Sequence, residues 1–260
     1  MSLDLDFAYA QARIQGRFSR LPAEDEWQRL AASRTLASLL EEARLGPLHN
    51  WVKGFSGQSD VHDLEAGLRS VHRETLEDLC GWVPAPWRDA LSWTRWLVHL
   101  PLLAHLDAGG PMPGWVSRDP ELSGLFGENG ALDPRRLSST GVDVLMHTNQ
   151  EPAMAWIIQW RRRWPHCRPE TARDLEALAA PLTGRVESFG RISPTATWSL
   201  RKKLRERLRL SLHRHTLQPS VPFVYLALTA LDLERLRAAL VSRALFPLRA
   251  EPAARGQATA

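Results

Sequence analysis

Two histidines, His213 and His215, stand two apart in the run LRKKLRERLRLSLHRH, and an H-x-H pair is the first pattern in the chain that could ligate a metal. On a helix, residues two apart point about 200° from each other, so the two rings cannot share one ion. His215 falls on the leucine stripe of that run and reads as a buried or half-buried histidine. His62, Asp63 and His72 are similarly scattered around their helix. The segment Lys53-Gly-Phe-Ser-Gly57 lacks the GxxxxGK spacing of a phosphate cradle, and no GxSxG, HExxH or paired CxxC occurs. The acids lie at ordinary salt-bridge spacing on helix faces. The sequence therefore predicts no catalytic residue, no cofactor and no metal. An enzyme would need a pocket assembled from scattered acids and histidines. Cys80 and Cys167 match no metal or disulfide pattern and read as reduced thiols.

The same run offers binding chemistry. Helical spacing puts Leu200, Leu204, Leu208 and Leu212 on one stripe, with Lys202, Lys203, Arg207, Arg209 and Arg214 fanning over the opposite side. With Arg201 and Arg205 these cations form the candidate partner-binding set. Such a strip is either the solvated face of a core helix or a cationic surface for an acidic protein, lipid headgroups or phosphate. Glu206 alone interrupts it, and mixed charge is the commoner pattern on a solvated face.

Around these residues the chain reads as helices. Its 260 residues are ample for a real core, and 44 % hydrophobic and 24 % charged are ordinary values for a globular protein. The formal charge of +4 does not call for nucleic acid, and all but Lys53, Lys202 and Lys203 of its 33 basic side chains are arginine. Eleven tryptophans against two tyrosines point to a packed helical core or a partner surface. Phe7, Ile14, Phe18 and Leu21 predict a first amphipathic helix. Pro22 with Glu24, Asp25 and Glu26 marks a second, with Trp27 and Leu30 inward. Leu36, Leu39 and Leu40 mark a third, stopped by Gly46 and Pro47. WVKGFSGQSD reads as a loop. Asp60 can then cap a helix whose apolar stripe is Val61, Leu64, Leu68, Val71, Thr75 and Leu79. A helix enclosed on all sides is expected from Trp87 to Leu106, kinked or ended at Pro101. Residues 107–149 read as irregular with one or two short helices.

Trp156, Trp160 and Trp164 share one side of a helix ended by Pro165, and further helices are expected over 172–189, 198–217 and 221–245. The longest apolar stretch, from Val221 to Leu231, is short of the ~18 residues a membrane span needs. The acidic opening MSLDLDFAYA lacks a basic segment followed by an apolar run, which predicts a cytoplasmic location. The expected organisation is one all-α domain over residues 1–247 and a disordered tail over 248–260. DLEAGLR from Asp63 and DLERLR from Asp232 echo each other, by chance or by duplication of a helical unit.

Tyr9-Ala-Gln-Ala-Arg13 followed by Ser19-Arg20-Leu21, the leucine-rich helix ending in Leu45-Gly-Pro-Leu48, Leu64-Glu65-x-x-Leu68 and Leu231-Asp232-Leu233-x-x-Leu236-Arg237 together resemble the C/d family of V-type and A-type ATPase proteins. Arg235 stands where that family's D-x-x-N pattern has asparagine, and this chain is shorter than full-length members. The resemblance implies multi-helix bundles, pseudo-repeated around a funnel. It also implies a non-catalytic subunit that links the central stalk to the membrane rotor ring in proton or other ion transport. Its partners would be the proteins of that stalk and ring, without direct nucleotide binding, and it would sit peripherally on the cytoplasmic face of the membrane. The competing expectation is a helical adaptor or regulatory protein binding an acidic partner or nucleic acid through the arginine-rich helix.

Overall fold

The computed structural model describes residues 6–128, 130–146, 151–188 and 194–246, and the expected tail over 248–260 lies outside the described residues. In chain order the helices are α1 (Ala8–Phe18), α2 (Glu24–Ala32), α3 (Leu36–Leu45), α4 (His49–Val52), α5 (Val61–Trp82), α6 (Ala85–Ser92), α7 (Leu100–Asp107), α8 (Pro134–Thr140), α9 (Pro152–Arg162), α10 (Pro169–Ser188), α11 (Pro194–Arg214) and α12 (Ser220–Leu245). Among the described residues the only β pairing is an isolated bridge between Phe126 and Leu132, so the protein is all-α. It forms two compact units. One comprises residues through Phe18 with Arg73–Leu228, the other Ser19–His72 with the residues from Thr229 onward.

Both ends of the sequence contribute to the second unit. Helix α2 starts where its acids favour the positive end of the helix dipole, and the Ala23 amide donates to Glu26 Oε2 at 2.7 Å. Thr35 caps α3 by accepting from the Ser38 amide at 3.1 Å, and Asp60 caps α5 by accepting from the Asp63 amide at 2.8 Å. The apolar stripes these caps align meet in one cluster. Trp27, Leu30, Leu36, Leu39, Leu40, Leu48, Val52, Phe55, Leu64 and Leu68 are buried together with Leu233, Leu236 and Leu240 of α12. Burial of each leucine contributes about 1.5–3 kcal/mol. Gly67 on α5 is required here, because a Cβ at that position would lie 2.3 Å from the Phe55 ring.

Arginines of α12 tie this cluster at its rim. Arg235 bonds both oxygens of Glu24, each at 2.9 Å, and its guanidinium lies 4.7 Å from the Trp27 ring centre. Arg237 donates to Glu65 at 2.6 Å, which joins the two echoed segments and holds the Arg237 proton above its ordinary range. Arg243 donates to the carbonyls of Leu30, Ala31 and Ser33, the otherwise unpaired end of α2.

In the first unit the organising residues are tryptophans. Phe7, Ile14 and Phe18 face inward from α1, as their spacing predicts. Trp156, Trp160 and Trp164 follow one another with ring centres 5.5 Å and 5.0 Å apart. A buried indole must donate its N–H, and three of this unit's indoles do so to backbone. Trp93 Nε1 donates to the Trp156 carbonyl and Trp156 Nε1 to the Trp93 carbonyl, both at 3.2 Å, while Trp160 donates to Ala90 O at 3.1 Å. Phe223, from the apolar first half of α12, packs edge-on against both Trp87 and Trp160.

The single helix expected over Trp87–Leu106 is corrected. A 3-10 segment, Trp93–His99, separates α6 from α7. The hydroxyl of Thr94 donates to the Leu91 carbonyl at 2.6 Å and Arg95 to the Ser92 carbonyl at 3.0 Å, groups that a continuous helix would occupy. Pro101 therefore begins α7 rather than ending a helix, since its missing N–H costs nothing in a first turn. Residues 107–149 are irregular as expected wherever described, with α8 and three 3-10 turns.

Replacing Arg235 by asparagine removes a bidentate ion pair and a cation–π contact, and is expected to destabilise the protein by about 1 kcal/mol. A double-mutant cycle with Glu24→Gln, read by urea unfolding, should return a coupling of about 0.5–1 kcal/mol. Zero coupling would show that the contact is idle.

Candidate functional site

Helix α11 carries the cationic face. Leucine, arginine and lysine are strong helix formers, and no glycine or proline interrupts the helix beyond Pro194 in its first turn. The chain leaves the helix through Leu217, at φ 60°, whose amide donates to Gln11 Oε1 at 3.2 Å.

The leucine stripe is buried at one end only. Leu208 and Leu212 are buried, whereas Leu200 is 50 % exposed and Leu204 only partly covered, which corrects the four-leucine core stripe. Arg209 is also corrected. It does not stand on the open face, because its guanidinium lies 5.1 Å from the centre of the Phe18 ring, beside His213 at 5.3 Å from the same ring. Arg201 lies over Trp198 at 5.3 Å, and Arg205 is half-buried with interactions inside the chain. Lys202, Lys203, Arg207 and Arg214 are exposed and have no carboxylate partner among the described residues. The seven candidates thus divide into four outward cations and three already engaged.

His215 is half-buried, as expected, with Nε2 3.6 Å from Asp174 and Nδ1 3.1 Å from the Ser211 hydroxyl. His213 makes its ring contact elsewhere, so the H-x-H pair is not brought together. A different group could hold a cation: His99, Asp119 and Glu121 bring one ligand atom each within 4.8 Å of the others. His99 Nε2 bonds Glu121 at 3.0 Å, and Asp119 accepts from the amides of Glu121 and Leu122, contacts that fasten the irregular segment. Sequence reading misses this group because its members come from a 3-10 segment and a loop 20 residues on. The one local signal is the D-x-E spacing of Asp119 and Glu121. Burial pushes the Cys80 thiol above its ordinary range, which disfavours the reactive thiolate.

The sequence reading also passes over Leu210, which is 56 % exposed among the cations. Its position off the leucine stripe is the signal that could have revealed it. No helix among the described residues is long and apolar enough to cross a membrane. No family model, no curated protein and no solved structure matches the chain.

Changing Lys202, Lys203, Arg207 and Arg214 together to glutamine is expected to leave stability within about 0.5 kcal/mol of the original. Arg209→Gln, which loses the contact with Phe18, is expected to cost about 0.5–1 kcal/mol. Thermal unfolding of the two variants distinguishes a free face from a supporting one. Equal losses would contradict this division.

Proposed function

We propose that the protein is a non-catalytic subunit of a rotary ATPase of the V type, linking the central stalk to the membrane rotor ring in ion transport. The observation that carries this reading is the convergence of the residues on which the family resemblance rests. Leu48 of the Leu45–Leu48 turn, Leu64 and Leu68, and Leu233 and Leu236 lie far apart in sequence yet belong to one buried cluster. Glu65 and Arg237, from two of those motifs, form an ion pair across it. A resemblance confined to surface residues would lack such mutual dependence.

Passing torque requires a body that does not deform and surfaces by which it is held. Close-packed helices with interlocked indoles supply stiffness, and the outward cations of α11 supply a surface for acidic partner residues. Under this reading the helical units repeat around a funnel that receives the stalk, and the protein sits peripherally at the cytoplasmic face of the membrane.

Affinity purification from the native host in mild detergent tests the proposal. Proteins of the stalk and ring are expected to co-purify, and the variant neutralised at Lys202, Lys203, Arg207 and Arg214 is expected to recover less of them in low salt. Repeated purification without any other ATPase component would overturn the reading in favour of a helical adaptor.

A further inference from the structure

On α11, Leu200, Lys203, Arg207, Leu210 and Arg214 follow one another at intervals of three, four, three and four residues. At 100° per residue they fall within an arc of about 80°. This is the spacing by which one helix presents a continuous seam to another. Here the seam faces outward. Leu200 and Leu210 are 50 % and 56 % exposed, and Lys203, Arg207 and Arg214 are exposed without a carboxylate partner among the described residues. The leucines that hold α11 in the first unit, Leu208 and Leu212, lie on a different side.

We infer that this seam is a docking site for one amphipathic, acidic α-helix of a partner protein, with its apolar residues over Leu200 and Leu210 and its carboxylates opposite Lys203, Arg207 and Arg214. The seam extends about 21 Å from Leu200 to Arg214, so the partner helix makes about four turns of contact. Charge complementarity selects an acidic partner. The leucines decide its class. A phosphate polymer would leave both leucines in water, since its affinity comes from the cations alone. A lipid surface is met by helices that segregate apolar and cationic residues onto opposite faces, whereas here the two types alternate along one stripe. Trp198, the other large exposed apolar residue of α11, projects about 160° from the seam's centre and does not extend an apolar face there. An acidic helix satisfies both kinds of residue at once, as in helix-in-groove recognition.

The inference concerns the face itself and stands apart from the ATPase assignment. The probe is a labelled 18-residue helical peptide with leucine and glutamate in the complementary three-four pattern, titrated into the full chain and followed by fluorescence anisotropy. A counterpart with lysine replacing each glutamate serves as control. The acidic peptide is expected to bind and the lysine peptide not. Leu200→Ser with Leu210→Ser should weaken binding about tenfold or more while all cations remain, and Lys203→Gln with Arg207→Gln should weaken it and flatten its salt dependence. Because all four side chains are exposed, circular dichroism of both variants should match the original.

Binding of the acidic peptide no tighter than that of its lysine counterpart would overturn the inference. So would undiminished binding by the leucine variant. Single-stranded DNA or phosphatidylserine vesicles bound more tightly than the peptide, and equally by the leucine variant, would likewise overturn it and leave only a general anion surface. Peptide binding without recovery of ATPase components from the host would remove the ATPase reading alone.

Discussion

The second unit depends on one constraint: leucines from α3 and α5 can be covered only by leucines from α12, which lies at the other end of the sequence. Leu39, Leu40, Leu64, Leu236 and Leu240 have essentially no exposed surface. None can reach that state without the others, because a single amphipathic helix has nothing to bury its stripe against. The arginines of α12 hold the register. Arg235 reaches Glu24, Arg237 reaches Glu65 and Arg243 reaches the carbonyls ending α2. A shift of α12 by one residue would turn its leucines about 100° away and break all three contacts together.

In the first unit the constraint is polar as much as apolar. Indole rings fill large volumes, but each buried N–H needs an acceptor. The structure meets this with backbone carbonyls at helix ends and in the 3-10 segment, where the carbonyls of Trp93 and Ala90 remain open to the side chains of α9. The break between α6 and α7 therefore supplies acceptors that an unbroken helix would have consumed. Arg163 adds to the same site, with its guanidinium 3.7 Å from the centre of the Trp93 ring.

Much of this fold can be read in the sequence because local signals and tertiary packing agree. The caps at Thr35 and Asp60, the acidic start of α2, the stripe of α5 and the indole column of α9 are all determined within a turn or two of the residues that signal them. The break at Trp93–His99 is not readable, since hydrophobicity all round a segment gives no phase by which to detect a change of helix type. The role of Arg235 is hidden as well, because Glu24 and Trp27 lie more than 200 residues away. At the candidate site the sequence identifies the correct helix but the wrong stripe. Leucines four apart and leucines on a three-four seam both have the spacing of a core, and only burial shows that Leu208 and Leu212 face inward while Leu200 and Leu210 face solvent. Arg209 reads as one more free cation in the sequence, whereas the structure places Phe18 beneath it.

A helical body gripped by partners needs its parts to resist opening separately. Native-state hydrogen exchange on the full chain measures this most directly. If the two ends of the sequence form one cooperative core, the amides of Leu39, Leu40, Leu64, Leu68, Leu236 and Leu240 will exchange with a common opening free energy and a common dependence on denaturant. Exchange of the α12 amides at lower cost, while α3 and α5 stay protected, would contradict the account.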